Sequence, residues 1–165
     1  MTCKIGAIPF KITDKGLSIL FVTSQTRGRW ILPKGNLKKN ESKKKACKRE
    51  AFEEAGVKGK VLTDFPMTVV IGKSQKKKIE QELVTYFPLL VHKNENVWPE
   101  IKERERLWVP LEETKSIVEE DDFLRLLDWF HDIAPWVVKA IKAKKNKRKN
   151  RGSSLKTANA TAPAK

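Results

Sequence analysis

Residues 35–57 read GNLKKNESKKKACKREAFEEAGV, and this stretch decides the fold. Three glutamates, Glu50, Glu53 and Glu54, lie within five residues of a chain that is otherwise rich in lysine. On an α-helix the three positions fall on an arc of about 100°. Glutamates three and four residues apart repel one another on a helix by a few tenths of a kcal/mol. Either the helix is solvated and balanced by Lys and Arg, or a bound cation offsets the repulsion.

The residues around the glutamates predict a helix over 42–55 and favour the cation. Ser42 suits the N-cap position, and Gly56 suits the residue just after the helix. Arg49 lies four residues before Glu53, a spacing that allows a charge-assisted bond. Carboxylate oxygens are ligands that suit Mg²⁺ or Mn²⁺. A face of small residues lets the helix lie close to a sheet: Cys47, Ala51 and Ala55.

Composition predicts one domain followed by a basic tail. The chain has 165 residues, 39% of them hydrophobic, and a net charge of +15. Residues 139–165 contain ten Lys or Arg and no acid. We therefore expect a folded domain over 1–138 and a disordered tail over 139–165, since such a segment buries too little apolar surface to fold alone. The tail either binds RNA, DNA or an acidic surface, through phosphate neutralisation, or only solubilises the protein.

Cysteine usage and hydropathy predict a cytoplasmic protein. Cys3 and Cys47 form no CxxC pair, which indicates neither a disulfide framework nor a zinc site and fits a reducing compartment. Lys4 and Lys11 closely bracket the apolar run near the start, which is therefore too short for a signal peptide, and none is expected. No stretch approaches the 18 or so apolar residues of a membrane span, and we expect no membrane contact.

The remaining pattern predicts mixed α and β structure. Strands are expected over 3–12, 17–23, 29–33, 60–72, 79–92 and 106–111. An amphipathic helix is expected over 121–133, with Phe123, Leu126, Leu127 and Phe130 on one stripe. Pro135 should separate it from a further short helix.

The spacing of the opening stretch resembles that of a known family. Gly35, then Glu41, then the run REAFEEAGV from Arg49 to residue 57 match the Nudix box at every fixed position. Chance agreement at so many positions is rare, so the chain resembles the Nudix hydrolases over residues 1 to about 138. The resemblance implies an α/β Nudix fold, with a mixed β-sheet sandwiched between α-helices, here followed by the basic C-terminal tail.

The resemblance also implies roles for the box residues. By position, the ligands of Mg²⁺ or Mn²⁺ are Glu50, Glu53 and Glu54. Glu41 and Arg49 are expected to bond to each other and to join the loop to the helix. Gly35 and Gly56 are expected to permit the backbone turns at the two ends, because glycine has no Cβ.

The implied reaction is hydrolysis of a nucleoside or other organic diphosphate linked to a further group. Metal ions neutralise the phosphates and activate water, while a carboxylate takes the proton. Glu53, held by Arg49, is the candidate base within the box. Some family members take a base or ligand from a segment before a strand with Trp. Here that segment is PEIKERERLWVPL (99–111), in which Glu103 is our candidate and Glu105 the reserve. Alternatively, residues 99–111 are only an exposed segment with alternating charges, in which neither glutamate has a catalytic role. Glu80 and Glu82 are weaker candidates for the base or further ligand.

Basic residues around the box predict an anionic polyphosphate as the substrate. Arg27, Arg29 and Lys34 precede the box, and a lysine-rich rim can steer such a substrate: Lys38, Lys39, Lys43, Lys44, Lys45, Lys73, Lys76, Lys77 and Lys78. The chain is most similar to the diphosphoinositol polyphosphate and diadenosine polyphosphate branch of the family, which adds Lys4 and Ser24 as substrate-facing groups. Hydrolysis at RNA 5′ ends, or another role with nucleic acid, is the alternative function. ADP-sugars are disfavoured, because Gly72 and Lys73 stand where those hydrolases carry Pro.

Overall fold

A computed structural model describes residues 2–75 and 78–158. The chain divides into two units, Met1–Trp129 and Phe130–Lys165. The strands within the described ranges are β1 (Thr2–Thr13), β2 (Gly16–Thr23), β3 (Trp30–Ile31), β4 (Lys34–Asn36), β5 (Val57–Val61), β6 (Met67–Gln75), β7 (Lys78–Asn94) and β8 (Arg106–Pro110). The helices are α1 (Lys43–Ala55), a 3-10 helix (Leu111–Ser116) and α2 (Asp121–Ala158).

The strands form one mixed sheet, as expected. Strand β1 pairs in parallel with β7 and antiparallel with β2 and β4. The order along the sheet is β3-β2-β1-β7-β5, while β8 pairs with β2 and β6 with β7. The single strand expected over 60–72 is wrong: the chain leaves the sheet between β5 and β6. Pro66 ends this interval, and a proline cannot donate to a strand ladder.

Helix α1 lies against this sheet through small residues, as expected. Ala46, Cys47, Ala51 and Ala55 are fully buried in one cluster with side chains of the sheet such as Leu20 and Leu89. Small side chains let the helix backbone approach the strands closely, which brings the neighbouring glutamates to the edge of the core. The position of the glutamate arc therefore follows from the packing of α1.

Helix α2 differs most from expectation. It continues without a break through Pro135 to Ala158, so the predicted separation at Pro135 is wrong. Residues 139–158, expected to be disordered, are helical as well. The physical reason is that Lys, Arg and Ala are strong helix formers and extend an existing helix without a new nucleus. Residues 159–165 of the predicted tail lie outside the described residues. Within the described ranges, no helix has an apolar stretch long enough to cross a bilayer.

Candidate active site

The two ends of α1 are fixed by the predicted caps. The Ser42 side chain accepts a hydrogen bond from the Lys45 backbone N–H (3.3 Å). Gly56 has a φ of 63°, and its N–H bonds to the carbonyls of Ala51 and Phe52. This left-handed conformation favours glycine. The helix therefore begins and ends where the sequence predicts, which sets the direction of every glutamate on it.

The predicted contact between Glu41 and Arg49 is present and bidentate. Arg49 Nε donates to Glu41 Oε1 and Arg49 Nη2 donates to Glu41 Oε2, both at 2.8 Å. Arg49 Nη2 also donates to the Asn36 carbonyl (3.0 Å). These bonds lower the pKa of Glu41 to about 2. One guanidinium thus joins the loop, strand β4 and helix α1.

The same guanidinium lies between two of the predicted metal ligands. Arg49 Nη1 donates to Glu50 Oε1 and to Glu53 Oε2, the latter at 3.2 Å. Glu50 is buried, and burial raises its pKa although Arg49 opposes the shift. Glu53 is the most accessible of the box glutamates, with its side chain 35% exposed. Arg49 therefore holds both carboxylates in defined orientations.

Gly35 has a different role from the one expected. It lies within β4, opposite Ile5 of β1, and is not among the glycines with a positive φ. A Cβ added at Gly35 would lie 2.1 Å from Glu50 Oε1. The glycine is therefore required for the close approach of the Glu50 carboxylate to the strand, and not for a turn.

The third predicted ligand, Glu54, is held from two sides. It is buried, and this burial raises the pKa of Glu54 to about 7. The Lys34 backbone N–H donates to its Oε2 (3.2 Å), and Arg104 Nη2 donates to its Oε1 (2.7 Å). Arg104 is itself buried and also donates to Glu100 and to the Thr23 carbonyl (2.8 Å). Arg104 thus connects α1 to β2 and to the turn before β8.

Glu100 is a residue of this site that the sequence analysis did not single out. Its backbone N–H donates to the Glu53 carbonyl (3.1 Å), and its negative charge contributes to the raised pKa of Glu50 and Glu54. The candidate of the same segment, Glu103, is exposed, and its N–H donates to the Glu100 carbonyl (3.1 Å). The sequence feature that could have indicated Glu100 is its position four residues before Arg104, with which it forms an ion pair.

The site carries excess negative charge. Two guanidinium groups, those of Arg49 and Arg104, face five carboxylates: Glu41, Glu50, Glu53, Glu54 and Glu100. When all five are ionised, a state that burial opposes at Glu50 and Glu54, three negative charges remain in a chain whose net charge is +15. Within residues 2–75 and 78–158, no three Asp, Glu, His or Cys side chains are already arranged to bind a metal ion. In this site the carboxylates are instead engaged in ion pairs with the two arginines. Oxygen donors with uncompensated charge nevertheless fit a hard divalent cation.

The predicted substrate residues fall into two groups. Lys4 Nζ pairs with Glu82 Oε1 (2.6 Å) and Lys34 Nζ with Glu82 Oε2 (3.2 Å), so both lysines share one buried carboxylate. Burial raises the pKa of Glu82, but bonds from the two lysines outweigh it and the net shift is downward. Because Lys34 also donates its backbone N–H to Glu54, this lysine pair adjoins the acidic site.

Arg29, Arg27 and Ser24 belong to the loop before β3. Arg29 pairs with Glu119 (3.2 Å) and Glu120 (2.8 Å), and its backbone N–H donates to Ser24 Oγ (3.1 Å). Ser24 therefore shapes the loop, while Arg27 is exposed. The exposed lysines of the predicted rim are Lys38, Lys39, Lys43, Lys44 and Lys45. Lys76 and Lys77 lie outside the described residues, as do the side chains of Lys73, Lys78 and Glu80.

Comparison with known proteins agrees with this geometry. The family model of the NUDIX domain matches residues 4–130. The chain belongs to the Nudix hydrolase family. Nudix hydrolases use divalent metal cations, which is the kind of ligand that the acidic site fits. The Nudix fold, with its mixed sheet and helices, is confirmed.

Curated relatives carry the same family name. Our Nudix hydrolase is 34% identical over 143 residues to Nudix hydrolase 12, mitochondrial, of Arabidopsis thaliana, covering 76% of this chain and 70% of that one. It is 31% identical over 133 residues to Nudix hydrolase 21, chloroplastic, of the same plant, covering 76% of this chain and 64% of the relative. The chain thus spans roughly two thirds of the length of these relatives.

Solved structures share the fold at low sequence identity. A C. elegans Ap4A hydrolase in a binary complex superposes with a TM-score of 0.66 at 20% identity, covering 81% of this chain and 97% of that one. The NUDIX domain of Shewanella oneidensis NrtR, complexed with ADP ribose, has a TM-score of 0.59 at 18% identity, covering 80% and 87%. These likenesses support the fold.

Proposed function

We propose that this Nudix hydrolase cleaves a phosphoanhydride bond in a polyphosphorylated small molecule, of the diadenosine polyphosphate or diphosphoinositol polyphosphate type, with Mg²⁺ or Mn²⁺. The observation that carries the proposal is the excess of carboxylates around Arg49 and Arg104, five against two guanidinium groups, next to the Lys4–Glu82–Lys34 cluster. A cation-binding surface and a phosphate-binding surface side by side are what such a substrate requires.

Glu50, Glu53 and Glu54 are the residues that would hold the divalent cation. When bound, the cation neutralises phosphate charge and lowers the pKa of a coordinated water. The protein contributes the fixed orientation of its carboxylates: Arg49 restrains Glu50 and Glu53, and Arg104 restrains Glu54. Such preorganisation is the main source of catalysis for phosphoryl transfer.

Two carboxylates are candidates to accept the proton of the attacking water. Glu53 is the first, because its side chain is 35% exposed while the Glu50 and Glu54 side chains are 8% and 9% exposed. Glu100 is the second, since it adjoins the box and its side chain is 29% exposed. Both can therefore reach water and substrate. This assignment favours Glu100 over Glu103.

The lysine cluster supports the choice of substrate. Two ammonium groups share the single carboxylate of Glu82, which leaves one positive charge to face a phosphate. Lysine binds phosphate as a point charge, which suits a flexible polyphosphate chain. The exposed lysines from Lys38 to Lys45 can raise the local concentration of an anion. The name of the C. elegans neighbour, an Ap4A hydrolase, points the same way.

We place the protein in the cytoplasm, because Cys3 and Cys47 are both free and free thiols suit a reducing compartment. Several plant relatives are named as mitochondrial or chloroplastic. Cell fractionation with compartment markers tests this placement; recovery in an organelle would contradict it.

A substrate panel tests the proposed reaction. The purified chain is incubated with a diadenosine polyphosphate, a diphosphoinositol polyphosphate, a nucleoside triphosphate, ADP-ribose and a 5′-triphosphate RNA, each with Mg²⁺ or with a chelator. We expect Mg²⁺-dependent turnover, highest for one of the first two compounds. Preference for ADP-ribose or the nucleoside triphosphate would contradict the proposed substrate. Preference for the RNA would favour the alternative function.

A further inference from the structure

Residues 139–151 of α2 form a strongly basic stretch. Residues 139–151 contain eight Lys or Arg and no Asp or Glu: Lys139, Lys142, Lys144, Lys145, Lys147, Arg148, Lys149 and Arg151. The helix spans all of them, and residues 142–153 are exposed throughout. At about 100° per residue, the eight side chains surround the helix with no angular gap wider than about 80°.

This distribution of charge argues against a membrane as the partner. A flat bilayer contacts only one side of a helix, and interfacial helices bury an apolar face. Between residues 142 and 153 the largest apolar side chain is that of Ala143. A flexible polyanion, by contrast, can contact cations on several sides of the helix. The charge pattern therefore favours a phosphodiester chain.

An exposed tryptophan just before the basic residues indicates which kind of phosphodiester chain the helix binds. Trp136 is 63% exposed, and Lys139 Nζ lies 5.6 Å from the centre of its ring. Aromatic side chains beside cations stack on unpaired bases, and this contact tolerates any base sequence. Unpaired bases are presented mainly by RNA loops and single strands, because DNA bases are paired in the duplex.

We propose that residues 136–151, here called the basic segment, bind RNA that has unpaired bases. Lys and Arg contact the phosphates, and Trp136 stacks on a base. This binding goes beyond the proposed hydrolysis of a small molecule and uses none of its residues.

Matched charge variants of the full-length chain test the proposal. One variant is Lys145→Gln, Lys147→Gln and Lys149→Gln; the control is Lys15→Gln, Lys48→Gln and Lys102→Gln. All six lysines are exposed, both variants lose the same charge, and glutamine keeps the helix propensity of lysine. The probe is a short, unstructured, fluorescently labelled RNA, and its affinity is measured by anisotropy at several salt concentrations.

We expect a steep salt dependence for the unmodified chain, with log K falling by about 3–5 per tenfold increase in salt. The basic-segment variant should reduce that slope by about 2 and the affinity at least tenfold, since each phosphate contact of a single strand contributes about 0.7 to the slope. The control variant should bind within about twofold of the unmodified chain, because its lysines lie outside the segment. Equal losses in the two variants would overturn the proposal.

A third variant, Trp136→Ala, separates stacking from charge. It should weaken RNA binding about 5- to 100-fold with an unchanged salt slope, whereas Trp129→Ala, the control, should not. The same assay is run with a duplex of this RNA, with single-stranded DNA of the same length and with phosphatidylserine vesicles. Equally tight binding to the duplex, or tighter binding to the DNA or the vesicles, would overturn the assignment to unpaired RNA. Turnover of the small substrate by the same variants should be unchanged. RNA binding and hydrolysis are measured in separate assays. A failure to bind RNA would therefore not contradict the proposed hydrolysis, and a failure to hydrolyse the small substrate would not contradict the proposed RNA binding.

Discussion

Arg104 is the buried cation on which Glu54 and Glu100 converge, and Arg104→Met should strongly destabilise the metal-free protein. Its side chain is 8% exposed and that of Glu54 is 9% exposed, with 2.7 Å between Nη2 and Oε1. Removing one partner of a buried pair costs about 3–5 kcal/mol, because the other charge is left uncompensated. We therefore expect a loss of about 3 kcal/mol or more in the free energy of unfolding near pH 8.

The cost should depend on pH through Glu54. Its folded-state pKa is raised by burial from 4.5 to about 7, so its contribution to stability is fully present below the unfolded value and is lost as pH rises through about 7. Without Arg104 this pKa rises further, and the loss continues to higher pH. The difference between the variant and the unmodified protein should therefore grow above about pH 7.

Urea unfolding followed by tryptophan fluorescence, in the presence of a chelator, measures both effects. The matched control is Arg125→Met. The Arg125 side chain is 76% exposed and pairs with Asp122, and surface pairs contribute about 0–1 kcal/mol. If the two variants unfold at the same urea concentration, Arg104 does not hold Glu54 and Glu100 in solution, and the charge balance described for the site is wrong.

Three further changes, and one control substitution, test individual roles. Glu53→Gln should fold normally and lose about 10²- to 10⁴-fold in kcat; retention of more than about a tenth of the rate in a steady-state assay would remove Glu53 from the mechanism. Glu41→Ala should lower stability by about 1–3 kcal/mol and reduce activity, since Arg49 loses its bidentate partner; an unchanged melting curve with full activity would contradict this. Glu100→Gln should lower kcat at least tenfold or weaken Mn²⁺ binding about 10- to 100-fold in a spectroscopic titration. Glu103→Gln should match the unmodified enzyme, and the reverse order would restore Glu103 as the candidate.

The local features of the site could be predicted because their signals are short-range. Ser42 and Gly56 mark the ends of α1 by their own backbone preferences, and both caps are present. Glu41 and Arg49 are eight residues apart and meet as the box spacing implies. The break expected at Pro135 failed because a proline cost of about 3 kcal/mol is offset by the burial of apolar side chains on both sides of it, such as Phe130 and Val137.

The contacts that the sequence did not reveal are long-range. Glu54 and Arg104 are 50 residues apart, and Lys4 and Glu82 are 78 apart. Such pairs depend on how β1, β7 and the turn before β8 are brought together, which no local pattern encodes. Within residues 99–111, alternating charges leave several glutamates equivalent in sequence. Only the turn that directs Arg104 toward α1 distinguishes Glu100 from Glu103.

Hydrolysis in ¹⁸O-labelled water tests the central claim most directly. The unmodified chain and the Glu53→Gln variant are each incubated with the best substrate of the panel, in the presence of Mg²⁺ or of a chelator. The masses of the products are then measured by mass spectrometry. We expect one labelled oxygen on a phosphate product of the unmodified chain with Mg²⁺, and almost no product with the chelator or with Glu53→Gln. Undiminished turnover in the chelator, or products without label, would contradict metal-dependent attack of water on a phosphoanhydride.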